Sequence, residues 1–345
     1  MVCAENEVRI KSYRKKKCGI LVNLYRARFS FTYYAKKEPI FLLSPIIIFS
    51  SMCSKTIFLF CFISHVGYIQ VSVGQEVLLT DNVCDDRYPS YSKDGKTIVF
   101  ESNRDGNWEI YLMDSNGENQ TRLTFNNAND RRPCWHPDGN RILFESDRAG
   151  RNHLYVYHLK SKAIEKISTP EDGEPVFASY SPNGRTIAFS LKISDETSDL
   201  ILLDMNSRST PSKKLISNGF RNFYPKWSPD GKTIVFFSRM NTANQIDEIY
   251  TINISTGQTA RVTQSDKHSF CPSFSQDGKR LAFVNAMEKI RPELFVIDIN
   301  GGNLKQLTYN LDGDTLPCWW MDDKKILFTG FRKGSFQICE IQLNP

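Results

Sequence analysis

Six side chains that can accept protons or hydrogen bonds recur along the chain at near-constant spacing. Asp94, Asp138, Asn183, Asp230, Asp277 and Asp322 follow one another at intervals of 44, 45, 47, 47 and 45 residues. A carboxylate series of this kind could serve acid–base chemistry. Each member, however, sits in a string such as PKWSPDGKTIVFFS (225–238), where Pro229-Asp230-Gly231 is turn chemistry. Pro presets φ, Asp tolerates the next position and Gly takes the left-handed residue that closes the hairpin. Turn geometry accounts for the carboxylates, and no catalytic role is assigned to them.

A second set could do recognition chemistry. Arg104, Arg148 and Arg332 occur in SNRDG, SDRAG and GFRKG, between a second and a third strand. Arg87, Tyr88, Arg131, Arg132, Arg221, Tyr224 and His268 fall in the segments that connect one repeat to the next. Arginines and aromatics on connecting loops, held by a rigid scaffold, suit binding of a protein partner. The competing reading is that each Arg pairs with an Asp of a neighbouring repeat. It is strongest for Arg104 and Arg148, which belong to the repeat motif, and weakest for Arg87, Arg131, Arg132 and Arg221, which the repeat does not dictate.

The elements that must position these residues are legible in the repeat. PSYSKDGKTIVFES begins at Pro89, PCWHPDGNRILFES at Pro133, ASYSPNGRTIAFS at Ala178, PSFSQDGKRLAFV at Pro272 and PCWWMDDKKILFTG at Pro317. After the turn, the strand 232–236 alternates as a half-buried strand does, with Ile234 and Phe236 on one face. A third strand follows, as in WEIYLMD (108–114) or DEIYTIN (247–253), then a fourth ending in Leu123-Thr124, Ile167-Ser168, Val262-Thr263 or Leu307-Thr308. Four antiparallel strands in a period of this size make the blade of a β-propeller. The expected fold is all-β, with six such blades. The sixth copy runs only through its third strand, and VLLT (77–80) matches the missing fourth, so an amino-terminal strand is expected to complete the last blade and remove the open edge.

The pattern Pro-x-aromatic-Ser-Pro-Asp-Gly-Lys-x-Ile-x-Phe, then Ser-x-Arg-x-Gly, Ile-Tyr-x-x-Asp and Leu-Thr, resembles the WD40-like (PD40) repeat of TolB-type six-bladed propellers across residues 77–343. The resemblance implies an exported protein-binding propeller that recognises an envelope protein or peptide segment, or else a glycan, and that uses no cofactor. No counterpart of the amino-terminal α/β domain of TolB is read before Val77.

Charge and composition narrow the classes further. The net charge is +6, yet residues 1–40 hold ten Lys or Arg against three Glu. The repeat array is therefore slightly acidic, which argues against nucleic acid. Residues 1–51 read as a basic leader or as sequence upstream of the true start. Residues 52–74, with MCSK, the apolar TIFLFCFISHVGYI and Ser72-Val73-Gly74, read as a signal peptide or membrane anchor, leaving 75–345 as a monomeric propeller in the periplasm or secreted. Five of the nine cysteines, Cys84, Cys134, Cys271, Cys318 and Cys339, fall in the propeller. No short C-x-x-C pair marks a zinc site, and a Cys271–Cys318 bridge is left open. No G-x-S-x-G, H-E-x-x-H or Walker sequence occurs, and the histidines are scattered rather than grouped as a metal triad. A non-enzymatic binding protein is the first reading. A carbohydrate-active propeller similar to the oligogalacturonate lyases is the second.

Overall fold

The computed structural model describes residues 74–343, apart from 168, 171, 207–211, 243–244, 288–289 and 311. The leader and all but Gly74 of the signal segment lie outside the described residues, as does Ser168.

The Asp-Gly strings fold as expected. In the first copy, Asp94 Oδ1 accepts from Ser92 Oγ at 2.7 Å and from the Lys96 N–H at 3.1 Å, while Gly95 takes φ 69°. The Ser228, Asp230 and Lys232 turn repeats this at 2.6 and 3.0 Å. In the last copy Asp323 stands where the others have Gly and adopts φ 58°, a left-handed position that Asp tolerates better than most residues.

Each turn joins the first and second strands of a four-stranded antiparallel sheet. The first blade comprises β2 (Asp86–Tyr91), β3 (Thr97–Ser102), β4 (Glu109–Asp114) and β5 (Thr121–Arg122). Six such sheets are formed by the described residues. The first strands of successive blades neighbour one another, with β2 against both β6 (Asp130–Trp135) and β22 (Asp314–Trp319), so the ring closes around an axis lined by first strands.

The second strands are buried on both faces, which corrects the half-buried reading. Val235, between Ile234 and Phe236, is 0% exposed, as they are. The ring explains this. Ile98 and Phe100 pack on Leu327 and Ile338 of the preceding blade, while Val99 packs on Ile142 and Phe144 of the following one. Phe100, Phe144, Phe189, Phe236, Phe283 and Phe328 are all fully buried at this repeat position. Burial of each contributes about 1.5–3 kcal/mol.

The Leu-Thr pair has its own job. Thr124, Thr263 and Thr308 each accept, through Oγ1, the backbone N–H of a third-strand residue (Ile110, Ile249 and Leu294) at 2.9, 2.9 and 3.0 Å. Thr80 does the same for Ile338 at 2.9 Å, across the ends of the chain. The strand it extends, β1 (Glu76–Leu78), pairs antiparallel with β24 (Ser335–Gln342), Val77 opposite Glu340. The amino-terminal strand completes the last blade, as the repeat arithmetic predicts.

Candidate binding site at the crossover mouth of the channel

Each first strand carries a bulge at the same place, between Arg87 and Ser90 in β2 and between Arg131 and Cys134 in β6. The residue inside the bulge is left-handed in all six blades: Tyr88, Arg132, Phe177, Tyr224, Cys271 and Leu316, with φ between 50° and 62°. Proline follows it in five of them, a residue that a bulge tolerates because the ladder lacks that N–H anyway. Left-handed geometry costs a non-glycine residue roughly 1 kcal/mol, so packing must hold it. Five of the six belong to or pack on one apolar cluster. Arg132 closes the circle, its guanidinium 4.6 Å from the Phe177 ring centre and 5.6 Å from that of Tyr88. The six side chains form a plug across the axis.

Buried carboxylates from the blade walls fasten this plug. Glu101 accepts the Arg132 N–H at 2.6 Å, and Glu145 accepts the Phe177 N–H at 2.6 Å, each bond running from one blade to the next. Glu145 also pairs with Arg132 Nη1 at 2.6 Å and accepts from Asn152 at 3.0 Å. Burial raises the Glu101 carboxyl above its ordinary range, against the pull of Arg131, Arg132, the Arg132 N–H and Arg87. Burial likewise lifts the Tyr88 hydroxyl to about 12.

On the crossover side of the plug lies a cleft of about 600 Å³, lined by Arg131, Arg132, Arg151, Lys192, Arg221, Phe177 and Phe223, and also by the carboxylates of Asp147, Glu174 and Asp195. Arg131 lies 4.8 Å from the Trp108 ring centre, and Arg87 lies 4.9 Å from the same ring. Arg221 lies 5.4 Å from Phe223. The Nε atoms of Arg87, Arg131, Arg132 and Arg221 are all buried without a hydrogen-bond partner. Arg87 still holds Asp85 at 2.5 Å, and Arg132 holds Glu145. Among the described residues, no carboxylate comes within ion-pair distance of Arg131 or Arg221. Arg131 feels Glu101, and Arg221 feels Asp195, only through space.

The residues singled out from the sequence divide into three groups, with His268 apart from all of them. Arg131, Arg132 and Arg221 line the mouth, and Arg87 shares the Trp108 ring with Arg131. They are not all loop residues: Arg87, Tyr88, Arg131, Arg132 and Tyr224 lie in first strands, and His268 opens one, β18 (His268–Phe274). Polar residues ahead of Pro read as loop, but the bulge lets the strand include them. Tyr88 and Tyr224 are plug residues and face the opposite, turn-side chamber rather than the crossover cleft. Arg104, Arg148 and Arg332 serve the scaffold, pairing with Asp86, Asp130 and Asp314 at 2.9, 2.7 and 2.8 Å. Each partner belongs to the same blade, not to a neighbouring one. His268 Nδ1 lies 3.0 Å from Asp247 Oδ2 and takes no part in the mouth.

Other side chains of this region were not singled out from the sequence. Trp108 opens a third-strand string, and Glu101 and Glu145 sit in second-strand strings, where their repetition as FES was a usable signal. Val83, Phe125, Phe220 and Tyr309 stand on the crossover loops, Val83 95% and Phe125 72% exposed. The five cysteines are free. Among the described residues no three His, Cys, Asp or Glu side chains form a group that could hold a metal ion.

The profile of the TolB beta propeller domain, PD40, matches residues 66–247 and 240–345. The chain belongs to this family. Solved structures agree on the fold of this TolB-like propeller. It is 22% identical to a putative TolB from Agrobacterium tumefaciens, covering 62% of this chain and 74% of that one at TM-score 0.55. It is 19% identical to TolB from Acinetobacter baumannii, covering 74% of this chain and 63% of that one at TM-score 0.57. An oligogalacturonate lyase from Vibrio parahaemolyticus is 15% identical, with 80% of this chain and 95% of that one covered at TM-score 0.56. No curated protein matches the chain.

Proposed function

We propose that this TolB-like propeller is a non-enzymatic binding module of the cell envelope that grips an acidic peptide segment of a partner protein at the crossover mouth. One observation carries the reading: Arg131 and Arg221 line the cleft half-buried and, among the described residues, without an ion pair. The buried Nε atoms are out of a ligand's reach, but a carboxylate supplied by a ligand would meet the η nitrogens with charge-assisted bonds. Val83, Phe125, Phe220 and Tyr309 stand exposed on the crossover loops of the same face, singly rather than as one patch. The likeness to TolB supports an exported, envelope setting.

The same arginines would fit the carboxylates of an acidic oligosaccharide, and the likeness to an oligogalacturonate lyase makes turnover of polygalacturonate the specific competitor. No His, Cys, Asp or Glu group among the described residues could hold a metal at this mouth, so no metal-assisted step is derived. Calorimetric titration of the full chain with a glutamate-rich peptide tests the proposal. Binding should weaken by about tenfold or more in the Arg131→Ala/Arg221→Ala variant and stay unchanged in Asp230→Ala, on the opposite face. Unsaturated products from polygalacturonate, released by the wild type and not by the double variant, would replace this reading with the enzymatic one.

A further inference from the structure

The plug leaves a second chamber on the side of the Asp-Gly turns, about 620 Å³ in volume and lined by all six blades. Six equivalent first-strand positions line it: Ser90, Cys134, Ser179, Lys226, Ser273 and Cys318, each opposite the central residue of its second strand. Five are small. The sixth is a lysine.

Lys226 makes no ion pair among the described residues, and its ammonium lies 4.8 Å from the centre of the Tyr224 ring, on the plug. No Asp or Glu lines the chamber. The turn carboxylates near its rim are folded back on their own turns, Asp94 on Ser92 and Asp230 on Ser228. The walls carry prolines and aromatics, including Pro133, Trp135, Pro317 and Trp319, beside serines, His136 and Gln276, and a second lysine, Lys93, stands exposed at the rim. A half-buried ammonium on an aromatic face, at the floor of an apolar chamber with no counter-ion, is a site with one chemical preference. Concave, mostly apolar pockets with a few convergent polar groups bind small molecules whose charged end meets the charged group.

We propose that the turn-side chamber binds a small organic anion, its carboxylate or similar group on Lys226 and its apolar or aromatic body against the proline and tryptophan walls. The site lies across the plug from the arginine cleft, so the two bind independently.

The full chain tests this with two fluorescent probes that share a body and differ in charge: 8-anilinonaphthalene-1-sulfonate, and N-phenyl-1-naphthylamine, which lacks the sulfonate. The sulfonate stands for the carboxylate. The wild type should bind the anionic probe at a Lys226-dependent site that a saturating glutamate-rich peptide leaves open. Lys226→Met should weaken that binding about tenfold while binding the neutral probe as the wild type does, which also reports an intact chamber. Lys226→Arg should keep the anionic probe, and Arg131→Ala/Arg221→Ala should bind it unchanged. Equal affinity for the anionic probe in the wild type and Lys226→Met, or its loss in the arginine double variant, would overturn the proposal. Failure of the wild type to bind the anionic probe would do the same.

Discussion

Arg131 stacks on Trp108 at 4.8 Å, a contact that fixes the guanidinium plane at the channel mouth without neutralising its charge. Stacking needs the flat guanidinium, and a lysine at this position cannot reproduce it. Arg131→Ala should weaken binding of an acidic peptide by about 2 kcal/mol, and Arg131→Lys should fall between it and the wild type. Trp108→Leu should weaken binding while leaving the charge in place. Calorimetry at two salt concentrations separates the effects, because the Trp108 variant should keep the salt dependence that Arg131→Ala loses.

The carboxylates on the two sides of the plug should respond to pH with opposite sign. Glu101 has its folded pKa raised by burial. Its contribution is fully present below the unfolded glutamate range and is lost as pH rises through the folded value. Asp230 has its folded pKa lowered, first by Ser228 and then by the Lys232 N–H. Its contribution is present above the unfolded aspartate range and is lost as pH falls through the folded value. Urea denaturation across the acid range should therefore show the wild type losing ground to Glu101→Gln as pH rises. It should lose its advantage over Asp230→Ala as pH falls. At neutral pH Asp230→Ala should cost no more than about 1 kcal/mol, since the turn is exposed. Parallel pH profiles would contradict the assignments.

Part of the fold was legible in the sequence. Asp230 was legible because a turn is local: Pro, Asp and Gly determine it within three positions. The closure by β1 was legible because a missing strand is a matter of counting. The plug was not. Arg132 and Tyr224 are neighbours of Pro in strings that look like loop, and only the bulge turns them to the axis. The pairing of Arg148 with Asp130 inside one blade was equally hidden, since a period says which residues are equivalent but not which ones touch. Lys226 stood in plain view as the exception among small residues, but its meaning depends on all six positions facing one chamber.

The propeller thiols should be poor nucleophiles. Burial pushes Cys271 up to about 12 and raises Cys318 and Cys339 as well. Thiolate is the reactive form, so at pH 8 a maleimide should label these three far more slowly than free cysteine and rapidly once the chain is unfolded in urea. Mass spectrometry of the labelled peptides reads this directly. Rapid labelling of Cys271 in the folded protein would show that the plug opens.

Closure of the ring should carry a large share of stability. Arg332 grips Glu76 with two bonds, at 2.8 and 3.0 Å, and β1 covers the edge of β24. Deleting residues 76–80 removes these bonds together with the Thr80 bond to Ile338, and exposes an unpaired edge. The deletion should melt several degrees lower, at about 2–4 °C per kcal/mol for a domain of this size, and should scatter light on standing. An unchanged melting temperature would mean that the strand does not close the ring in solution.

The most direct test of the binding mouth is to watch the guanidinium groups themselves. In a ¹⁵N-labelled full chain, the Nε–H signals of Arg131 and Arg221 can be assigned by loss in the alanine variants and followed as a glutamate-rich peptide is added. Both signals should move, saturating together with the calorimetric curve, while the indole signal of Trp227 in the turn-side chamber stays still. Movement of the Trp227 signal with the two arginine signals unchanged would place the peptide on the other face and contradict the account.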